Sequence, residues 1–123
     1  MLNRLFLALL IISPASFADW GDVYYCQMTS RAYTDLDGSV SVDSQLETFQ
    51  FRLDKTQKAM IFGRGSWFQG EVQVLISGLE APSAEHWFAG SLQSKSYFLN
   101  SKFIYALVGN GGITAISADC NKV

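Results

Sequence analysis

Residues 47–54 read Glu-Thr-Phe-Gln-Phe-Arg-Leu-Asp, and apolar and polar side chains alternate through most of this segment. Phe49, Phe51 and Leu53 fall on one face of an extended chain, and the residues between them are polar. Such alternation is typical of an antiparallel strand with one face in a core and the other in water. The segment therefore predicts a β-sheet protein with a one-sided core.

Other segments of the chain are also compatible with strands, and turn-forming residues separate many of them. Asp37-Gly38 and Asn110-Gly111 are pairs that favour tight hairpins. Strands at this spacing are typical of a small antiparallel barrel of seven or eight strands, with a two-sheet sandwich as the alternative. The further candidate strands are Val23–Thr29, Lys58–Phe62, Gly70–Ser77, Glu85–Ser91, Ser96–Asn100, Lys102–Val108 and Ile113–Cys120.

The two cysteines, Cys26 and Cys120, lie in the first and last candidate strands. A disulfide between them would require their Cα atoms to lie within about 7 Å. The first and last strands would then be close together, which favours a closed barrel over an open meander. We expect this disulfide to form.

The N-terminal segment has the three parts of a secretory signal peptide. A basic residue, Arg4, precedes the apolar run Leu5–Ile12, and small residues follow at Ser16 and Ala18. We expect cleavage between Ala18 and Asp19, which removes residues 1–18 and leaves residues 19–123 as a single all-β domain. The predicted location is the periplasm or the exterior of the cell, with no integral membrane span after cleavage. A transmembrane barrel is disfavoured, because eight strands of about nine to eleven residues would leave almost no residues for loops.

Composition argues against several classes of function. The net charge of -2 offers no basic surface for nucleic acid. His86 is the only histidine, so a metal site built on several histidines is not expected, and neither is a cofactor. Glu85 and His86 would point to opposite faces of a strand, which disfavours an acid–base pair. Asp35-Leu36-Asp37-Gly38 is interpreted as a turn and not as a calcium loop, because further oxygen ligands are missing.

Aromatic residues make up 14% of the chain. Most of them are needed to fill the core of a small domain. Trp67 and Phe68 are adjacent, so in an extended segment one of them would point outward or toward a barrel mouth. We interpret this pair as part of a binding lip for an apolar or sugar-like ligand. The candidate ligand-binding residues are Arg64, Trp67, Phe68, Trp87 and Tyr97.

Three functions fit these observations. The favoured hypothesis is a binding module without covalent chemistry, which holds a small apolar or glycan-like ligand or an envelope protein. The second is an exported inhibitor or accessory protein that docks through a rigid loop such as Gly63–Gly70 or Gly109–Gly112. The third is a hydrolase that uses acidic residues, although no catalytic motif is present.

Overall fold

The computed structural model describes residues 18–76, 86–109 and 111–123. The expected signal peptide lies almost entirely outside these ranges, as do Glu85 and Asn110. The described residues form strands and turns, and within them no helix is long and apolar enough to cross a bilayer. The strands are β1 (Val23–Asp35), β2 (Val40–Val42), β3 (Thr48–Asp54), β4 (Ala59–Phe62), β5 (Val72–Leu75), β6 (His86–Gly90), β7 (Ser94–Leu99), β8 (Lys102–Gly109) and β9 (Gly112–Lys122).

The sheet closes on itself through β1, which pairs with β3 on one side and with β9 on the other. Strands β3 to β8 each pair antiparallel with the next strand in sequence, and β9 pairs with β1, so eight strands form a closed barrel. The short strand β2 is extra and pairs with the second half of β1. The predicted barrel is confirmed, and the sandwich alternative is not adopted.

The predicted disulfide is also confirmed. Cys26 and Cys120 are directly opposed in the β1–β9 pair, with their Cα atoms 4.0 Å apart, and their sulfur atoms are bonded. Both residues are buried. The bond lies on the ladder that closes the barrel, and it indicates a protein of an oxidising compartment.

Aromatic rings fill the interior of the barrel. Trp87 stacks on Phe98 with ring centroids 4.1 Å apart, and Tyr24 stacks on Phe51 at 5.1 Å. A second group of rings continues this core toward the other end of the barrel, and it comprises Phe49, Phe62, Phe68 and Phe103. The inside of the barrel is therefore a packed core.

Strand β1 contains a bulge that reverses its two faces. Met28 pairs with Ala118 but Ser30 pairs with Ser117, so Thr29 is an extra residue on β1. Before the bulge the even-numbered residues of β1 point inward, and after it the odd-numbered ones do. The sequence predicted a strand that ended at Thr29, because the bulge interrupts the alternation on which that prediction rested.

The turn between β1 and β2 is the predicted Asp-Gly hairpin. Gly38 has a φ of +88°, which glycine adopts without steric cost. Oδ1 of Asp35 accepts hydrogen bonds from the backbone N–H groups of Asp37 and Ser39. The Asp35 carboxylate therefore stabilises the turn. The described residues contain no group of three side chains that could hold a metal ion.

Candidate functional site

A shallow trench crosses the outer face of the barrel from β7 to β1. Its floor is a row of alanines, because Ala106 pairs with Ala115 and Ala115 pairs with Ala32. Lys95 pairs with Ala106 and continues this row on β7. We call this groove the outer trench; its volume is about 460 Å³. The trench follows directly from strand register, since small residues on the three neighbouring strands β8, β9 and β1 fall side by side.

Two rows of larger apolar side chains border the outer trench. On one side Phe88 pairs with Tyr97, and Tyr97 pairs with Ile104. On the other side Val108 pairs with Ile113. Residues two apart on a strand are separated by about 6.8 Å, so the backbones of the two rows are about 14 Å apart.

These bordering side chains are exposed to an unusual degree. Phe88 is 49% exposed, Ile104 55% and Val108 60%. A continuous apolar patch of roughly a few hundred Å² on a small protein commonly marks a site of interaction. The outer trench is therefore a candidate binding surface.

Polar groups lie around the outer trench. The side chain of Lys95 extends over Gly90, where an added Cβ would lie 2.9 Å from its Cδ. Lys95 forms no ion pair with any other residue in the described ranges. Beyond the aromatic row, Lys102 and Asp119 form an ion pair of 2.6 Å. An apolar centre with a polar rim is the usual anatomy of a protein interface.

His86 lies at the edge of this surface and is exposed. Its ring is edge-on to that of Tyr97, with centroids 5.2 Å apart, and it also approaches Phe88. In this position it extends the aromatic border of the outer trench. Glu85, its neighbour in sequence, lies outside the described residues.

A second pocket lies at one end of the barrel, where the loop of residues 63–71 folds over the core. Phe68 from this loop is buried and stacks on Phe62 at 4.3 Å, so it plugs the barrel. Trp67 is half-buried, and its ring lies edge-to-face with Phe68 and with Tyr105. The backbone N–H of Trp67 donates a hydrogen bond to Glu47. Together these contacts fix Trp67 in position.

The inward face of β1 beyond the bulge completes this pocket, which we call the barrel mouth. It has a volume of about 390 Å³. Arg31 donates hydrogen bonds to Asp43 and forms an ion pair with it. Arg31 also holds the pKa of the Asp43 carboxyl below its ordinary value of 3.8. Besides Arg31, Asp43 and Trp67, the residues that line the mouth are Ala32, Tyr33, Ser41, Val42 and Thr114.

A cluster of polar side chains lies inside the barrel near the mouth, centred on Glu71. The hydroxyl of Tyr105 donates to Oε1 of Glu71 at 2.8 Å. Oε2 accepts from Ser94 at 2.6 Å and from the side-chain amide of Gln73 at 3.0 Å. Ser96 donates in turn to Gln73. Burial, followed by the hydrogen bond and charge of Glu71, raises the pKa of Tyr105. The cluster anchors Tyr105, and through it the ring of Trp67.

The five candidate ligand-binding residues do not form one site. Trp67 lines the barrel mouth, and Tyr97 borders the outer trench. Phe68 and Trp87 are only 4% and 1% exposed and belong to the core. Arg64 is exposed on the loop of residues 63–71, where its Cγ lies close to Gly70. The structure thus places Trp67 and Tyr97 on two separate surfaces, Phe68 and Trp87 in the core, and Arg64 on the exposed loop.

Sequence reasoning missed the residues that give each surface its character. The alanine floor becomes visible only when the register of β8, β9 and β1 is known. Arg31 and Asp43 are brought together by the β1–β2 hairpin. The alternation Ser39-Val40-Ser41-Val42 was a signal for this hairpin, but not for the ion pair that it creates.

Comparisons of the chain with protein-family models, with curated proteins and with solved structures found no match.

Proposed function

We propose that this protein is an exported binding module without covalent chemistry, and that it docks on an envelope protein through the outer trench. The main observation in support of this proposal is the exposed apolar trench on a barrel whose interior is a packed core. The packed interior removes the usual place for a ligand in a small barrel. The outer face is therefore the favoured surface for a partner.

The shape of the outer trench favours a protein over a lipid. Sites for small ligands bury most of the ligand surface, commonly 70–90%. An acyl chain in an open trench would keep its outer side in water. An α-helix is about 10 Å in diameter and fits between apolar rows about 14 Å apart, with the alanine floor allowing close approach.

The charge of the surface indicates the character of this helix. Lys95 is the floor-row cation that has no ion-pair partner among the described residues. A carboxylate of the partner would pair with it, and an apolar stripe would cover the bordering row of Phe88, Tyr97 and Ile104. The proposed occupant is thus an amphipathic helix with an acidic residue beside its apolar stripe.

Export is supported by the disulfide and by contacts at the expected cleavage point. The backbone N of Asp19 lies 2.8 Å from a carboxylate oxygen of Asp22. Lys122 lies 3.3 Å from the same oxygen. Cleavage after Ala18 would create an ammonium group at Asp19, and this group would form an ion pair with Asp22. The proposed mature protein starts at Asp19 in the periplasm or outside the cell.

Site-specific photo-crosslinking in the producing cell tests the docking proposal. A benzophenone amino acid replaces Ile104 in the outer trench, and the control position is Tyr25. Tyr25 is 53% exposed on the outer face of β1, close to the 55% of Ile104. We expect one discrete adduct from position 104 and none from position 25. Mass spectrometry of the adduct should identify a helix with apolar residues at spacings of three and four and a nearby acidic residue.

Two charge variants sharpen this test. Ala115→Arg places a large charged side chain on the trench floor and should lower adduct yield at least about tenfold, because an unpaired buried charge is costly. Lys95→Glu should also lower it, whereas Lys55→Glu makes the same charge change in the exposed β3–β4 turn and should not. An adduct with a lipid or with a second copy of the chain would overturn the proposal. So would absence of an adduct at 104, or equal adducts at 104 and 25.

A further inference from the structure

We infer that the barrel mouth is a second binding site, and that its ligand is a neutral saccharide. This inference is independent of the partner proposed for the outer trench. The volume of the barrel mouth, about 390 Å³, lies within the range of small-molecule sites. The chemistry of its lining identifies the ligand class.

Trp67 supplies the apolar element of the mouth. A sugar ring has a face of C–H groups, and a tryptophan ring offers the largest side-chain surface to pack against such a face. Trp67 is held by Phe68 and Tyr105 through ring contacts of 5.2 and 5.6 Å, and by the hydrogen bond from its backbone to Glu47. A ring fixed in this way loses little conformational freedom on binding.

Hydroxyl groups supply the polar element. Tyr33, Ser41 and Thr114 line the mouth, and their side-chain hydroxyls form no hydrogen bond with any residue in the described ranges. Each can donate and accept, as a sugar hydroxyl can. Tyr33 is held close to the backbone of Gly112, where an added Cβ would lie 2.4 Å from the tyrosine oxygen. The mouth thus offers several hydroxyls near one tryptophan.

The charge of the mouth indicates a neutral ligand. Arg31 and Asp43 are the charged side chains among its lining residues, and they pair with each other. An anionic or cationic ligand would have to compete with this pair. A neutral ring with many hydroxyls can use both groups as hydrogen-bond partners while the pair stays intact.

Isothermal titration calorimetry of the disulfide-bonded protein tests this inference, with the neutral trisaccharides maltotriose, cellotriose and N,N′,N″-triacetylchitotriose as probes. We expect at least one of them to bind with a Kd of about 0.1–1 mM, which is the strength of a few hydrogen bonds and one ring contact. Trp67→Ala should weaken binding at least about tenfold. The matched control is Tyr25→Ala, which removes an exposed aromatic ring outside the mouth and should leave the Kd unchanged.

A second variant controls for unfolding of the loop of residues 63–71 in Trp67→Ala. Thr114→Val keeps the shape of the side chain but removes its hydroxyl, and we expect it to raise the Kd about three- to tenfold. The inference is overturned if none of the three trisaccharides binds more tightly than about 10 mM. It is equally overturned if Tyr25→Ala weakens binding as much as Trp67→Ala does.

Discussion

Reducing the Cys26–Cys120 disulfide should lower the free energy of unfolding by about 4.7 kcal/mol. The two residues are 94 positions apart in sequence. In the chain-entropy description, a bond that closes a loop of this length restricts the unfolded chain by about 4.7 kcal/mol at 25 °C. Small domains have total stabilities of about 5–15 kcal/mol, so the reduced barrel should be marginal or unfolded.

Urea titration with and without reductant measures this change. The protein is first unfolded and reduced, then refolded and titrated in reductant, and unfolding is followed by tryptophan fluorescence. The reduced protein should have a lower midpoint and a larger m-value, because its unfolded chain is less compact. A difference below about 1 kcal/mol would refute the reasoning. It would mean that strands β1 and β9 stay together in the unfolded chain without the bond.

Two further predictions concern polar groups, and a third concerns the exported chain. Tyr105→Phe removes the donor to Oε1 of Glu71 and should destabilise the protein by about 1–2 kcal/mol in thermal or urea unfolding. Because the pKa of Asp43 is lowered in the folded state, its contribution to stability is complete above about pH 4 and is lost as pH falls through the lowered pKa. The protection factors of amides in the β1–β2 hairpin, which are corrected for the pH dependence of intrinsic exchange, should therefore fall below pH 4. Intact-mass measurement of the exported protein should give a chain that begins at Asp19 and lacks two hydrogens at its cysteines.

For each of these predictions, a specific outcome would contradict it. Tyr97→Phe makes the same chemical change on the outer face. An equal loss of stability in that variant would show that the loss in Tyr105→Phe does not come from the hydrogen bond to Glu71. In Asp43→Asn the loss of hairpin protection in acid should shrink. An unchanged loss would assign it to Asp37, whose pKa is lowered to about 2 by hydrogen bonding with the Asp35 side chain and with Ser39. An exported chain that still carries residues 1–18 would contradict the cleavage.

The alternation of side chains was sufficient to predict an antiparallel β-sheet protein, and the two cysteines then favoured a closed barrel, with a sandwich as the alternative. Phe49, Phe51 and Leu53 were expected on one face, and all three are buried. The two cysteines identified the strands that meet at closure, since a disulfide imposes a short distance regardless of sequence separation. These features depend on local pattern and on covalent geometry, both of which a single sequence records.

The two candidate surfaces depend on information that a single sequence does not carry. Whether Ala106, Ala115 and Ala32 form one row is set by the register of three strands, and a shift of one residue would separate them. Trp87 has the same aromatic character as Trp67, but their burial differs because one lies inside a strand of the barrel and the other on a loop over its end. Composition could indicate aromatic excess, but not which rings remain accessible.

The bulge at Thr29 sets which residues of β1 reach each of the two candidate surfaces. It places Ala32 on the floor of the outer trench and Arg31 and Tyr33 in the barrel mouth. Deleting this one residue would restore simple alternation along β1 and leave Arg31 and Tyr33 inward and Ala32 outward, because Met28 and Ser30 already pair with consecutive residues of β9. A slip of one residue that absorbs Thr29 into regular pairing would instead turn Arg31 and Tyr33 outward and Ala32 inward. Neither surface can therefore change its position on this strand without the other, whereas single substitutions can alter each one separately. A natural variant that lacks only this residue should keep both surfaces.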